Sequence, residues 1–453
     1  MITARLADFV ASRKTDEIPE EAFGAATNAL IDTLGVAIAG STEPVADVAA
    51  AWVEEVGGRP QATVWGRKLS AHAADAAFAN GISAHALDFD DTHPSGRGHM
   101  SASLIPAAVA AGEATGASGR EVLAAYAIGI EIGGVIGRAF GPGHFLRGWH
   151  PTATVGAIAS TAVAARLYRL DADGVTRAFG IAASQVGGMA RNFGTMAKPF
   201  HAGHAARTGI VSAWMAKQGL TTDGEIFDGK RGVLDTYQGG DGEPIEAVME
   251  TLGKPWEILK PGNYVKRWPC CYSGHRTLGA IYAMIDKHGL NPGNVEEVSV
   301  SFLPGGDTAL FSRDPQTGLE AKFSIEYMVA AALLDGPLRM ATFADDMVAR
   351  PEARTLMKRV RRVAIPDAKS YSGIAGYNDI AVTTPSGRHE VREDRVPGSF
   401  AWPPTEAERD GKFMDCATAV LGAAGARQLL DRAKGCRNSV DLRAITGATV
   451  APN

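Results

Sequence analysis

The chain is short of cysteine, of basic excess and of unbroken apolar runs. Four Cys in 453 residues, at Cys270, Cys271, Cys416 and Cys436, cannot build a disulfide framework. No CxxC or Cys/His spacing marks a zinc site, and reduced thiols are expected. Lys and Arg number 45 against 50 Asp and Glu, a formal net charge of −5. That balance argues against a nucleic-acid partner, whose affinity rests on a basic surface. Residues 1–23 lack the apolar core and small-residue cleavage site of a signal peptide. The most apolar stretches, 101–111, 122–140 and 151–167, are built largely from Ala, Gly, Ser and Thr, and the second carries Glu131. Such segments pack in a soluble core more often than they span a bilayer, so a cytoplasmic protein without a membrane partner is expected. GxGxxG after a strand, GxxxxGK[ST], HExxH and GxSxG are also missing. Nucleotide, zinc-protease and α/β-hydrolase readings therefore drop out.

What is present in excess is glycine, 53 of 453 residues, about 12% against a usual figure of about 7%. Many of these residues, such as Gly129, Gly133, Gly156 and Gly203, fall inside Ala-rich segments of helical period. Small residues let helices approach closely, at up to about 1 kcal/mol each in helix propensity. Helical spacing is predicted over 4–13, 20–38, 71–87, 104–115, 120–140, 152–168, 171–186 and 200–219. Near Lys266 the texture changes. Residues 295–302 alternate as a strand, a helix is predicted over 322–334, and short strands over 360–365, 377–384 and 389–396. Helix returns at 406–421 and 424–434. The expected fold is mainly α: a large all-helical domain from both chain ends, 1–265 and 401–453, with a smaller α/β domain, 266–400, inserted as a lid.

Polar residues of chemical interest collect in five segments. The first runs from His85 through Asp88, Asp90, Asp91, Thr92 and His93 to His99. It reads as a solvated helix end, as a metal site, or as a functional site. The i, i+3 pairs His85/Asp88 and Asp90/His93 give the metal reading weak support, because the helix ends there. Buried-looking helix resumes at Ser101, so part of the cluster faces inward, where carboxylates and imidazoles require partners. The second is Trp149-His150-Pro151, with His150 at a helix N-terminus that attracts anions, or simply capping it. In the third, Lys198 precedes Pro199 at the entry to another helix, as an anion ligand, a base or a surface charge. The fourth, 264–276, carries Lys266, Arg267, Cys270, Cys271, Ser273, His275 and Arg276 where the two textures meet, as a polar wall or an ordinary basic linker. The fifth holds Tyr327, a core aromatic or a catalytic phenol. Cations beside acids and His, without a cofactor motif, suggest a small polycarboxylate ligand and proton transfer at carbon next to a carboxylate.

In order, HALDFDDTH with GHMSASLIPA, WHPTATVGAIASTA, TMAKPFHAGHAA with IFDGKRG, KRWPCCYSGH and KFSIEYMVAAALLDG resemble the MmgE/PrpD family. That family includes dehydratases, decarboxylases and epimerases of polycarboxylates. The resemblance covers essentially the whole chain. It implies a helical domain with an inserted lid, a homodimer, a site between domain and lid, and no metal or other cofactor. It implies catalytic roles for Asp88, His99, His150, Lys198 and Tyr327. Thr92, Lys266 and His275 would bind substrate. The expected activity is a cofactor-independent, dehydratase-type lyase acting on a di- or tricarboxylate. An iminodisuccinate-like epimerase and a cis-aconitate-like decarboxylase are alternatives, and a polycarboxylate-binding dimer is the non-enzymatic one. Cys271 stands where the decarboxylase branch has His, a departure that weighs against that branch.

Overall fold

The structure is a computed structural model that describes residues 1–365 and 376–450. Positions 366–375 of the expected lid and 451–453 of the expected tail lie outside the described residues. The fold is mainly α, with only small sheets. It divides into two compact units. One contains 1–191, 196–264 and 405–453; the other contains 192–195 and 265–404.

The first unit opens with α1 (Ile2–Ser12), α2 (Glu20–Gly40) and α3 (Pro44–Val56). The hairpin β1 (Ala62–Val64) and β2 (Leu69–Ala71) follows, then α4 (Ala73–Ala86) and α5 (Met100–Thr115). Next come α6 (Gly119–Leu146), α7 (Pro151–Leu167), α8 (Ala172–Ala183) and α9 (Ala197–Lys217). Helix α3 is absent from the prediction, yet its cause is local. Pro44 suits a first turn, and Ala46, Ala49, Ala50 and Val53 bury one face at helical spacing. Helices α4, α5 and α7 are buried nearly all round and form the centre of the unit. A buried Leu or Ile there contributes about 1.5–3 kcal/mol. The helices α2 and α6 are long and apolar enough to cross a membrane, but most of each is buried inside the protein.

Two glycines set the packing of one helix pair. Helix α4 runs along α9 with Gly81 against Gly203. A Cβ on Gly81 would stand 2.8 Å from the Gly203 Cα, and a Cβ on Gly203 would stand 2.3 Å from the Phe78 carbonyl oxygen. Neither position has room for a methyl group. The contact brings the start of α9 beside the end of α4.

The second unit holds α10 (His275–His288), β3 (Glu297–Phe302), α11 (Ile325–Asp335), β4 (Val360–Ala364), β5 (Asn378–Thr384) and β6 (Gly387–Glu393). The strand order is β4-β3-β5-β6, with β3–β4 parallel and the other pairs antiparallel. Val298, Val300 and Phe302 point into the core while Ser299 and Ser301 are half-buried, the alternation expected of one packed face. Inside this unit Arg362 grips Glu326 through two bonds of 2.7 and 2.6 Å, and it also donates to the carbonyls of Leu310 and Ser312. The chain then returns to the first unit in α12 (Glu406–Lys434), which breaks at Gly422, where φ is 70°. That break falls where the sequence separates two helices.

Candidate active site

In the helical unit, one helix end and three helix starts bring the polar segments together. Helix α4 ends at Ala86 with His85 in its last turn. Asp88 then takes a left-handed conformation, φ 52°, which is uncommon outside glycine and costs on the order of 1–3 kcal/mol. The reversal carries Asp90 back onto His85. His99 is the N-cap of α5, His150 is the N-cap of α7, and Lys198 lies in the first turn of α9. The sequence reading starts α5 at 104 and α9 at 200, which leaves His99 and Lys198 ahead of their helices. Both helices begin earlier, because Met100, Ser101 and Ala102, and likewise Lys198 and Pro199, continue the buried helical face.

Lys198 is the hub. Its Nζ donates to Asp88 Oδ1 at 2.7 Å and lies 2.9 Å from His85 Nε2. Both oxygens of Asp90 lie 3.0 Å from His85 Nδ1, and its Oδ2 is 3.1 Å from His99 Nδ1. His99 Nδ1 is also 3.0 Å from the Asp91 carbonyl oxygen, and its Nε2 is 3.7 Å from Asp88 Oδ1. The His85 ring is tilted against His99 at 4.5 Å and stacked on His150 at 5.8 Å. His150 Nδ1 meets His201 Nδ1 at 2.9 Å, so one ring carries the shared proton.

Burial decides the charge states. It pushes His85 down to about 3 against the pull of Asp90. Burial and then the Lys198 charge hold His150 well below its usual value, and the same pair pushes His201 down to about 4. Burial alone would raise Asp90, but the two imidazoles beside it outweigh that cost and keep its carboxyl well below the usual range. Asp91 goes the other way. Burial, followed by the charge of Asp32, raises it to about 8, although Ser101 Oγ and Asn263 Nδ2 donate to its Oδ2 at 2.6 and 2.7 Å.

Thr92 pairs its backbone with Tyr264, at 2.9 and 2.7 Å. Its buried hydroxyl has no hydrogen-bond partner among the described residues. His93 is turned away from this cluster. Its Nε2 donates to the Glu257 carbonyl at 3.1 Å and its Nδ1 accepts from the Gly96 N–H at 3.1 Å. The i, i+3 spacing of Asp90 and His93 therefore gives no common face, because the helix ends at Ala86, as the sequence suggested. One donor atom from each of His85, Asp88, Asp90 and His99 lies within 4.8 Å of the others, close enough to hold a metal ion. Lys198 already offers these donors a cation.

The remaining candidates belong to the second unit. Lys266 and His275 are fully buried there. His275 heads α10, with Trp268 and Tyr272 packed on its ring at 5.1 and 4.9 Å and Cys270 Sγ 3.7 Å from its Nε2. Tyr327 is fully buried, and its hydroxyl donates to the Thr342 carbonyl. Burial raises that phenol to about 12. Its hydroxyl is thus committed to the fold, as a core aromatic's would be.

Sequence reasoning passed over His85, Asp90 and His201 as site residues. Their signals were present. His85 and Asp90 sit in the acidic and His-rich segment, and His201 lies three residues after Lys198 on the same helix. What hid them was the backbone reversal at Asp88, which no periodicity reports.

Known proteins match this chain along most of its length. The MmgE/PrpD N-terminal domain matches residues 4–245, and the MmgE/PrpD C-terminal domain matches 268–434. Cis-aconitate decarboxylase of Homo sapiens is 27% identical across 100% of this chain and 95% of its own length. The Mus musculus protein of that name is 27% identical over 93% of this chain and 87% of its own. One from Aspergillus terreus is 28% identical over 79% of this chain and 77% of its own.

Proposed function

This chain belongs to the MmgE/PrpD family, and from that premise we propose that it is a lyase acting on a small di- or tricarboxylate without a cofactor. The observation that carries the reading is the buried Lys198, held between Asp88 and His85 with His99 and His150 around them. Three helix N-termini deliver His99, His150 and Lys198, and each contributes unpaired N–H groups and a positive dipole end. A carboxylate entering the cluster would meet that field and the ammonium; Thr92, with its unsatisfied hydroxyl, is proposed to bind substrate as well. Negative charge that develops on the carboxylate as the neighbouring carbon loses a proton would be stabilised by the same groups. His150, kept neutral by burial, is proposed as the base, its basicity raised when an anionic substrate enters beside it. Asp88 and His99 complete the acid/base set. Lys266 and His275 are proposed to bind a further carboxylate. Tyr327 is assigned no proton-transfer step.

The favoured reaction is removal of water from a hydroxylated polycarboxylate. A second reading, decarboxylation of a cis-aconitate-like tricarboxylate, is favoured by the relatives' names. Both share the charge that builds beside a carboxylate. An NMR time course in D2O with citrate-like hydroxy acids, cis-aconitate and amino-linked diacids separates them. New alkene signals without carbon loss support dehydration, and release of CO2 supports decarboxylation. Deuterium uptake with inversion would replace both readings by epimerisation, and tight binding without turnover would leave a binding protein. Turnover should survive EDTA; its loss would assign the His85, Asp88, Asp90 and His99 cluster to a metal.

The proposal includes a cytoplasmic homodimer. Exposed Val48, Trp52, Phe200 and Trp214 on the helical unit provide apolar surface for a second copy. Light scattering after size exclusion should report twice the chain mass, and a monomer at working concentration would remove the dimer.

A further inference from the structure

We propose that Asp90 is a positioning residue that fixes the tautomers of His85 and His99 together, so that His85 presents a lone pair to Lys198. The tautomer assignment stands on geometry alone; its consequence for turnover rests on the lyase reading above.

Asp90 is fully buried, and its neighbours within hydrogen-bond reach include two imidazole Nδ1 atoms. An ionised carboxylate only accepts. Both rings must therefore carry their proton on Nδ1. For His99 a second acceptor enforces the same choice, because its Nδ1 is also 3.0 Å from the Asp91 carbonyl oxygen, which has no proton to give. For His85 the second constraint comes from the far side of the ring. Its Nε2 lies 2.9 Å from Lys198 Nζ. A neutral ring protonated on Nδ1 offers a lone pair at Nε2, and the ammonium donates to it. The opposite tautomer would face N–H against N–H. Lys198, His85 and Asp90 thus form one directed chain, Lys198 donating to His85 and His85 to Asp90, while a second N–H of Lys198 donates to Asp88. Proton order at Lys198 is decided two residues away from it.

The chain also explains why a carboxylate, rather than an amide, is needed at position 90. An Asn has one accepting and one donating end. It can satisfy one Nδ1–H but must offer an N–H to the other ring. One imidazole then turns over its proton, and the lysine loses its acceptor or the His99 ring loses its orientation.

The test labels the protein with 15N-histidine and reads each ring's tautomer from long-range 1H–15N correlations, with His85→Gln and His99→Gln variants for assignment. In the wild type both rings should carry the proton on Nδ1. In Asp90→Asn at least one should switch to Nε2–H. Turnover should fall at least tenfold through kcat, with KM changed much less and the melting temperature within a few degrees. Wild-type rings protonated on Nε2 would overturn the proposal, as would Asp90→Asn rings that both stay protonated on Nδ1. If Asp90→Asn does not fold, His85→Gln and His85→Leu decide. Gln keeps an acceptor for Lys198 and should retain more turnover than Leu, and equal rates would sink the chain of donors. Should no panel substrate turn over at all, the lyase reading fails while the tautomer spectra still judge Asp90.

Discussion

Each unit of this protein buries a cation against an acid, and the two pairs are built to opposite ends. In the second unit Arg362 meets Glu326 through two parallel bonds, and its other N–H groups go to the carbonyls of Leu310 and Ser312 and, at 3.4 Å, to Asp307 Oδ2. Arginine does not give up its proton in a protein, and its fork fixes the geometry. In the helical unit the cation is Lys198, which bonds Asp88 through one oxygen and turns a second direction to an imidazole. Lysine is a compact charge that can lose a proton. Burial therefore does not by itself mark a reactive group. The distinction lies in the cation itself, a fork that keeps its proton against an ammonium that can lose one, and in the imidazole that only the lysine of the two meets.

This contrast is open to direct attack. The largest effect should follow Lys198→Ala or His150→Ala. Each is expected to lower turnover at least roughly a hundredfold, a common scale for acid/base groups, while the fold persists by circular dichroism. Near-normal rates in both would erase the difference between the two pairs. Arg362→Met should do the reverse. It leaves Glu326 buried without its partner, a loss of about 3–5 kcal/mol by denaturant titration, with kcat of the surviving folded enzyme little changed. Gly203→Ala forces a methyl onto the Phe78 carbonyl. It should cost about 1–3 kcal/mol as overpacking and depress kcat as well, since it pushes α9 off α4.

Smaller effects sharpen the same comparison. Asp91 has a folded value near 8 against an ordinary 3.8. The folded state then holds a proton that the unfolded chain releases near pH 4. Its stabilising contribution is present below that point and is lost as pH rises toward 8. Asp91→Asn should remove this loss, so its melting temperature relative to wild type should climb between pH 5 and 8. A constant difference across that range would show that Asp91 is ionised in the fold. The smallest change is expected from Tyr327→Phe, which removes the bond to Thr342, about 1 kcal/mol in stability. A drop in kcat of a hundredfold there would restore Tyr327 as a proton donor.

The mainly helical fold was legible because its long helices repeat their apolar faces many times over. Even the break at Gly422 could be read, from Ala- and Leu-rich turns on either side of it. Helix α10 was not read at all: it opens on His275, Arg276 and Thr277, polar residues that look like a loop until their burial is known. At the site, residues beside a Pro or a helix start, such as His150 and Lys198, could be picked out one at a time. The way they meet could not. The contact between Lys198 and Asp88 spans 110 positions of chain, and the return of Asp90 to His85 depends on one backbone angle at Asp88. Periodicity reports which face is buried; it is silent on such pairings.

The close approach of Gly81 and Gly203 gives this site a ruler. The approach of the Lys198 ammonium to the His85 ring follows from two missing methyl groups about one helical turn away, at Gly81 and Gly203. Attempts to retune the enzyme toward new substrates therefore have a natural division. Changes around the ligand's outer carboxylates alter what is held, whereas a change between these two helices alters the reacting groups themselves. A redesign that fills the core for heat resistance must leave Gly81 and Gly203 as they are.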